Sequence, residues 1–319
     1  VARAIGYAKD VTAGRIRMGE KVTKACQRFL DDLARAGQDP ARPEMRDGSW
    51  PWVFDEHKAS RPVDFIEKFL RPTKGDYDRM ELMGWQCFIE CNLYGWVHRE
   101  TGLRRFREGL IIVGSGNGKS TMVAGNATFA ACKDGERGAD CYFLAPKLDQ
   151  ADIIYNNIWM MTLLDPEYQK KKEYYSELDA QHRKVHDDSD LPKHRMTDLY
   201  IMATNSTVKK IAFSAKKSDG FNPSLCVCDE IAAWEGDSGL KQYEVMKSGM
   251  GARPEGILLS CTTAGYINDS IYDEIFKRAT RFLKGDSKEE CQMKARQWYN
   301  EHAVHALELA ILKLTEKEG

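Results

Sequence analysis

Apolar positions along the chain follow two rhythms. Within residues 21–36, Val22, Cys26, Phe29, Leu30 and Leu33 recur at helical spacing. The helical pattern extends over residues 1 to about 40, where Gly37 and Pro40 close it. By contrast, residues 110–113, 141–145, 225–229 and 256–262 are short, nearly unbroken apolar runs, as in strands buried on both faces. Further strands are expected at 199–203 and 207–214, with Asn205-Ser206 as the turn between them. Helical stretches fall at about 62–70, 82–96, 122–132, 149–163, 269–283 and 288–314. Strands alternating with helices predict an α/β fold with a mostly parallel central sheet flanked by helices. Residues 41–60 look irregular, and Trp50, Trp52 and Phe54 are expected to staple that loop to the main body. Residues 165–198, with Lys170-Lys171-Lys172 near their start, are strongly charged and predict an exposed, solvated excursion.

The chemistry-bearing stretch is Gly114-Ser115-Gly116-Asn117-Gly118-Lys119-Ser120-Thr121, between a predicted strand and a predicted helix. Its glycines let backbone N–H groups turn toward a polyphosphate, and the helix N-terminus adds its own donors and positive dipole end. Lys119 is then placed to reach the β- and γ-phosphates, and the Ser120 hydroxyl to take a position on Mg²⁺. Val113 stands where the strict phosphate-loop pattern asks for glycine. The plainer alternative is an ordinary Gly-rich loop with a chance Lys-Ser, and the strand–loop–helix context favours phosphate binding over it.

A second stretch, Leu225-Cys226-Val227-Cys228-Asp229-Glu230, is an apolar strand ending in two carboxylates. Asp229 is expected to hold Mg²⁺ and Glu230 to polarise an attacking water. Beyond it, the strand ending Thr262-Thr263-Ala264-Gly265 offers hydroxyls that would sense the γ-phosphate; the alternative is a β-branched strand end with a Gly turn. Gln86, whose amide offers both donor and acceptor, is a candidate reader of adenine. On its own it is more simply a surface Gln beside a core Trp85. Arg104-Arg105-Phe106-Arg107, before the phosphate loop, is most simply a solvated strand start.

Composition narrows the classes. The 319 residues are 42% hydrophobic and 30% charged, with formal net charge −1, an ordinary globular mix. Contact with a polyanion would need a local basic patch rather than global charge. No apolar run approaches membrane-span length. The start, Val-Ala-Arg-Ala-Ile-Gly, is neither a signal peptide nor an initiator Met, so a few upstream residues are expected to be missing. Nine scattered cysteines without a CxxC pair fit reduced core residues. His182 and His186 stand four apart, with His194 beyond. Arg183 occupies the place where a zinc protease would carry Glu, so metal binding there is not favoured.

In this order, the motifs resemble the ATPase half of the large terminase subunit of tailed bacteriophages. The resemblance rests on the Gln86 segment, Arg104-Arg105-Phe106-Arg107 and Gly116-Asn117-Gly118-Lys119-Ser120. It continues through Ala145-Pro146-Lys147 into Gln150-Ala151, then Asp219-Gly220-Phe221-Asn222-Pro223 before Asp229-Glu230. Thr262-Thr263-Ala264-Gly265 closes it, similar to the family's coupling motif.

The resemblance implies a RecA-like P-loop NTPase of the ASCE type, with a helical N-terminal segment (1–75), an ATPase core (76–284) and a C-terminal helical subdomain (285–319). It implies ATP and Mg²⁺ as cofactors, and ATP hydrolysis that translocates double-stranded DNA into a procapsid. Lys119, Glu230, Thr262 and Thr263 would carry catalysis. Residues 114–121 and Gln86 would bind nucleotide, and Ser120 and Asp229 would hold Mg²⁺. Implied partners are the DNA backbone, a homo-oligomeric ring on the portal, and the small terminase subunit, in the cytoplasm of the infected host with no membrane contact.

Many family members carry Arg where this chain has Ser115, so the missing positive charge is expected from a neighbouring subunit, with Lys216, Lys217, Arg195 and Arg253 as candidates. Turnover by an isolated monomer is then expected to be slow. The nuclease that follows the ATPase in family members has no counterpart before Gly319, so nuclease activity is not expected. The rival readings are a helicase-like or repair ATPase, and a nucleotide-binding assembly module that hydrolyses nothing.

Overall fold

The computed structural model describes residues 1–73, 75, 77–164, 169–171, 193–195, 198–212, 220–234, 236–263, 271–284 and 309–313. The N-terminal pattern forms two helices rather than one, α1 (Ala2–Thr12) and α2 (Glu20–Arg35). Gly14 takes φ +72°, and the N–H groups of Arg15 and Ile16 fold back onto the Asp10 carbonyl, which ends α1. α2 buries Val22, Cys26, Phe29, Leu30 and Leu33, the stripe read from the sequence.

Strand β1 (Trp52–Phe54) lies in the stretch expected to be irregular, antiparallel to β2 (Trp96–His98). Between them come α3 (Glu56–Phe69) and α4 (Gly84–Gly95). α3 starts six residues before the expected position, because the Asp55 side chain accepts the Lys58 N–H at 2.9 Å and caps it there. Pro62 is thus inside the helix.

The core follows as β3 (Glu108–Ile112), α5 (Lys119–Cys132), β4 (Asp140–Ala145) and α6 (Leu148–Leu163). Next come β5 (Lys193–His194), β6 (Asp198–Ile201), β7 (Ser206–Ala212) and β8 (Leu225–Asp229). The last elements are α7 (Gly236–Gly249), β9 (Ile257–Thr262), α8 (Ile271–Lys284) and β10 (Leu309–Lys313). The sheet runs β10-β3-β9-β8-β4-β7-β6-β5, parallel from β10 to β7 and antiparallel from β7 to β5.

Both faces of the sheet are covered. Ile111, Phe143, Val227 and Leu259 face a layer that includes residues of α1, α2, α4, α5 and α6. Leu110, Ile112, Tyr142, Leu144, Cys226 and Cys228 face Trp234, Tyr243, Met246 and Ile275. The alternation along each strand is that of period two, and burial on both sides explains the unbroken apolar runs. The eight cysteines among the described residues are free, seven of them buried.

Two expectations are corrected here. Residues 309–313 are not part of a helix; they pair in parallel with β3, Leu309 opposite Glu108 and Lys313 opposite Ile112. The side of β3 away from β9 offers a row of backbone donors and acceptors, and pairing there outweighs the helix propensity of a Leu-Ala-Ile-Leu run. The rest of the expected helix, 288–308 and 314, lies outside the described residues, as does most of the charged excursion.

Second, the arginines before the phosphate loop are buried, not solvated. Arg104 Nη2 donates to both carboxylate oxygens of Asp134, each at 3.0 Å. Arg105 donates to Asp32 of α2 at 2.8 Å beneath the rings of Trp50, Trp52 and Trp96. Arg107 donates to the carbonyls of Met250 and Arg253 at 2.8 and 2.7 Å. Charged side chains inside a protein need such partners. These three tie β3 to its surroundings, and the aromatic staple closes over Arg105.

Candidate nucleotide-binding site

The parallel strands end together, so the loops after β3, β8 and β9 share one edge of the sheet. Ile112 lies opposite Thr262, and Asp229 opposite Cys261. Ligand crevices in such sheets form at the carboxyl ends of the strands.

Val113 continues the strand: it is buried, and its N–H donates to the Thr262 carbonyl at 3.0 Å. A residue still engaged in the sheet needs no glycine, which accounts for the departure from the strict motif. The left-handed turns come later, at Gly116 and Gly118, each with φ +78°. Asn117 closes the loop by donating to the Gly114 carbonyl at 3.1 Å. No side chain caps the N-terminus of α5 at Gly118, so its first-turn N–H groups are not claimed by a capping side chain.

Lys119, the first residue of α5, projects to the end of β8. Its Nζ donates to Asp229 Oδ1 at 3.0 Å and, through a short bond, to Glu230 Oε1. Burial pulls the ammonium down, but the two carboxylates more than offset this and its pKa is raised. Burial pushes the Asp229 carboxyl up, and Lys119 only partly counters that. The cluster sets one ammonium against two carboxylates.

Glu230 has φ +49° and ψ +45°, a left-handed conformation that costs a non-glycine residue on the order of 1 kcal/mol or more. Its Oε2 accepts from the Thr263 N–H and hydroxyl, both at 3.4 Å. Thr262 is fully buried, and its Oγ1 accepts the Ala232 N–H at 3.3 Å. The two threonines thus tie the end of β9 to the turn carrying Glu230.

A cavity of about 400 Å³ opens over this cluster. Gly114, Ser115, Gly116, Gly118, Lys119, Ser120 and Thr121 line it with Glu230 and Thr263. The remaining wall is Pro72, Thr73, Ile153 and Asn157, where the Thr73 hydroxyl donates to Asn157 Oδ1 at 2.9 Å. Thr73 and Asn157 carry no motif in the sequence and went unnoticed there. Gln86 does not line the cavity. Its Oε1 accepts the Met83 N–H at 2.8 Å, capping α4, while its Nε2 lies against the phosphate loop, 3.3 Å from where a Cβ on Gly118 would sit.

Lys119 is the one cation among the described residues lining the cavity. Of the candidate fingers, Arg253 is held by Glu136, Asn222 and the Gly138 carbonyl. Arg195 is about half exposed beside Asp198. Lys216 and Lys217 lie outside the described residues. The donor set fits Mg²⁺: hard oxygens from Ser120 and Asp229, with the other positions left to phosphate and water. Among the described residues no cluster of three or more His, Cys, Asp or Glu forms a closed metal cage.

A Gly-rich loop between a parallel strand and a helix, facing an acidic strand end across one intervening strand, defines a P-loop NTPase. Residues 84–281 match the family described as terminase large subunit, ATPase domain, and the chain belongs to that family. The large terminase of bacteriophage HK97 superposes with a TM-score of 0.53 at 17% identity, over 82% of this chain and 45% of that one. The large-terminase ATPase domain of Thermus phage P74-26 is a more distant likeness, with a TM-score of 0.38 at 16% identity over 56% of this chain and 66% of that one. This chain therefore spans less than half the length of the HK97 protein. A search of curated proteins returned no match. Nothing in these comparisons favours the helicase-like or the non-hydrolysing reading.

Proposed function

We propose that this chain hydrolyses ATP with Mg²⁺ and couples the reaction to movement of double-stranded DNA into a viral procapsid. Family membership implies ATP hydrolysis in general. The observation that carries the finer reading is the bonding of Lys119 to both Asp229 and Glu230 at the mouth of the phosphate loop.

In this reading, ATP enters with its γ-phosphate toward Glu230. Lys119 leaves the carboxylates for the β- and γ-phosphates, and the N–H groups of residues 114–121 surround the chain of phosphates. Ser120 and Asp229 would hold Mg²⁺, which would supply charge neutralisation to the phosphates. Glu230 then orients water in line with the γ-phosphate. Thr263 reports the state of Glu230, and Thr262 passes the change to β9. The nucleoside end falls to Pro72, Thr73, Ile153 and Asn157; an adenine contact by Gln86 would require its Nε2 to leave the phosphate loop. Phosphoryl transfer depends on position and charge, so a cation from a neighbouring subunit is expected to complete the site. With Arg253 engaged, Arg195, Lys216 and Lys217 remain candidates.

DNA contact is proposed to be with the backbone, as a motor indifferent to sequence requires. Residues 1–75 would brace the ATPase core of 76–284, with the strand at 309–313 added to its sheet. A ring on the portal, the small terminase subunit and the host cytoplasm complete the proposal. It is tested by following ATPase activity against protein concentration, with and without double-stranded DNA. Specific activity rising with concentration and stimulated by DNA supports a ring motor; flat activity indifferent to DNA counts against it.

A further inference from the structure

We propose that Trp234 is a positioning residue for Glu230, acting through the peptide that joins Asp229 to Glu230; the inference rests on Glu230 orienting the attacking water. The indole Nε1 donates to the Asp229 carbonyl at 2.9 Å, five residues back along the chain. Trp234 is fully buried. A buried donor aimed at that carbonyl resists rotation of the peptide plane, since rotation would leave both groups unsatisfied.

That plane sets the direction of Glu230. Its left-handed backbone needs something to hold it, and the turn supplies several bonds. The Ala233 N–H returns to the Glu230 carbonyl at 2.8 Å, the Trp234 N–H to the Ile231 carbonyl at 3.2 Å, and the Ala232 N–H to Thr262 Oγ1 at 3.3 Å. The indole bond fixes the peptide on the other side of Glu230. Conformations of this kind persist only where surrounding structure over-determines them.

The choice of tryptophan follows. Among side chains it alone joins a large apolar ring system to a single N–H donor with no acceptor. The ring body belongs to the buried cluster that also holds Tyr243, Met246 and Ile275 from α7 and α8. It also lies close to α7, where a Cβ on Gly239 would come 3.0 Å from the Trp234 Cβ. The layer beneath the sheet thereby sets the angle at which Glu230 enters the cavity.

The test compares Trp234→Phe, and the chain carrying benzothienylalanine at 234, with wild type. The second replacement keeps the shape of indole and exchanges N–H for sulfur, so it guards against a variant that fails to fold. Both should lower kcat roughly tenfold, part of the 10²–10⁴ that a positioned general base supplies. KM for ATP and the affinity for ADP should stay at the wild-type values, because the phosphate loop is untouched. A benzothienylalanine chain with wild-type kcat would overturn the inference, as would a loss confined to thermal stability or shared equally with nucleotide affinity. A wild-type chain that binds ATP and never hydrolyses it would overturn the reading of Glu230 and this inference with it.

Discussion

The ammonium of Lys119 stands 3.0 Å from Oδ1 of Asp229, 110 residues further along the chain. One strand, β9, separates β8, which ends in Asp229, from β3, which leads into the phosphate loop. In the proposed reading, Mg-ATP would displace the ammonium from these carboxylates, exchanging one set of charges for another. Asp229→Asn should raise the Mg²⁺ concentration for half-maximal ATPase by about tenfold or more, the scale on which even outer-shell partners matter at metal sites. A magnesium titration of ATPase checks this; an unchanged midpoint would remove Asp229 from the metal site.

Gln86 lies behind the phosphate loop with its acceptor committed to the α4 cap. If its Nε2 meets the base, Gln86→Ala should erase the preference for ATP over other nucleoside triphosphates. Inorganic tripolyphosphate should compete as well as before. Competition binding separates these outcomes: a parallel loss for tripolyphosphate would make Gln86 a support of the loop and no reader of adenine.

The Asp32–Arg105 pair joins α2 to the segment before β3, and both side chains are nearly inaccessible to solvent. Arg28 and Arg35 also stand near Asp32, at 3.6 and 3.9 Å. Asp32→Leu and Arg105→Met should each destabilise the chain. The double variant should be less harmed than the sum, with a coupling of about 1–3 kcal/mol by chemical denaturation. Strict additivity would deny the pair a role in holding the N-terminal helices to the core.

Glu90 is buried between α4 and α5, where burial pushes its carboxyl up to about 8 despite the hydrogen bond from Asn126 at 2.7 Å. The folded chain thus keeps a proton that the unfolded chain has released. Stability is lost as pH rises from the ordinary carboxylate range through about 8, by roughly 3 kcal/mol at pH 7. Glu90→Gln should match wild type near pH 4 in thermal melts and exceed it by several degrees at pH 8. A difference that does not grow with pH would contradict the assignment.

Much of the fold was legible because burial on both faces writes unbroken apolar runs, as at Leu225-Cys226-Val227-Cys228. The phosphate loop and Asp229-Glu230 were legible because their chemistry is local in sequence. What was not legible depended on distant partners. Arg104, Arg105 and Arg107 look like a solvated basic run until Asp134, Asp32 and three backbone carbonyls are brought to them. Residues 309–313 have a helical composition, and only the edge of β3 makes them a strand. Thr73, Asn157 and Trp234 have no motif, since each acts through a contact set by the fold.

The central claim is that Glu230 activates water for a nucleotide held by Lys119 and the phosphate loop. Its most direct test is a single-turnover measurement with γ-labelled ATP and Mg²⁺, wild type beside Glu230→Gln, with bound nucleotide counted in the same samples. The account predicts phosphate release by wild type, and by Glu230→Gln full occupancy with release slowed by at least about a hundredfold. Comparable release from both proteins would contradict it, as would a variant that fails to bind ATP at all.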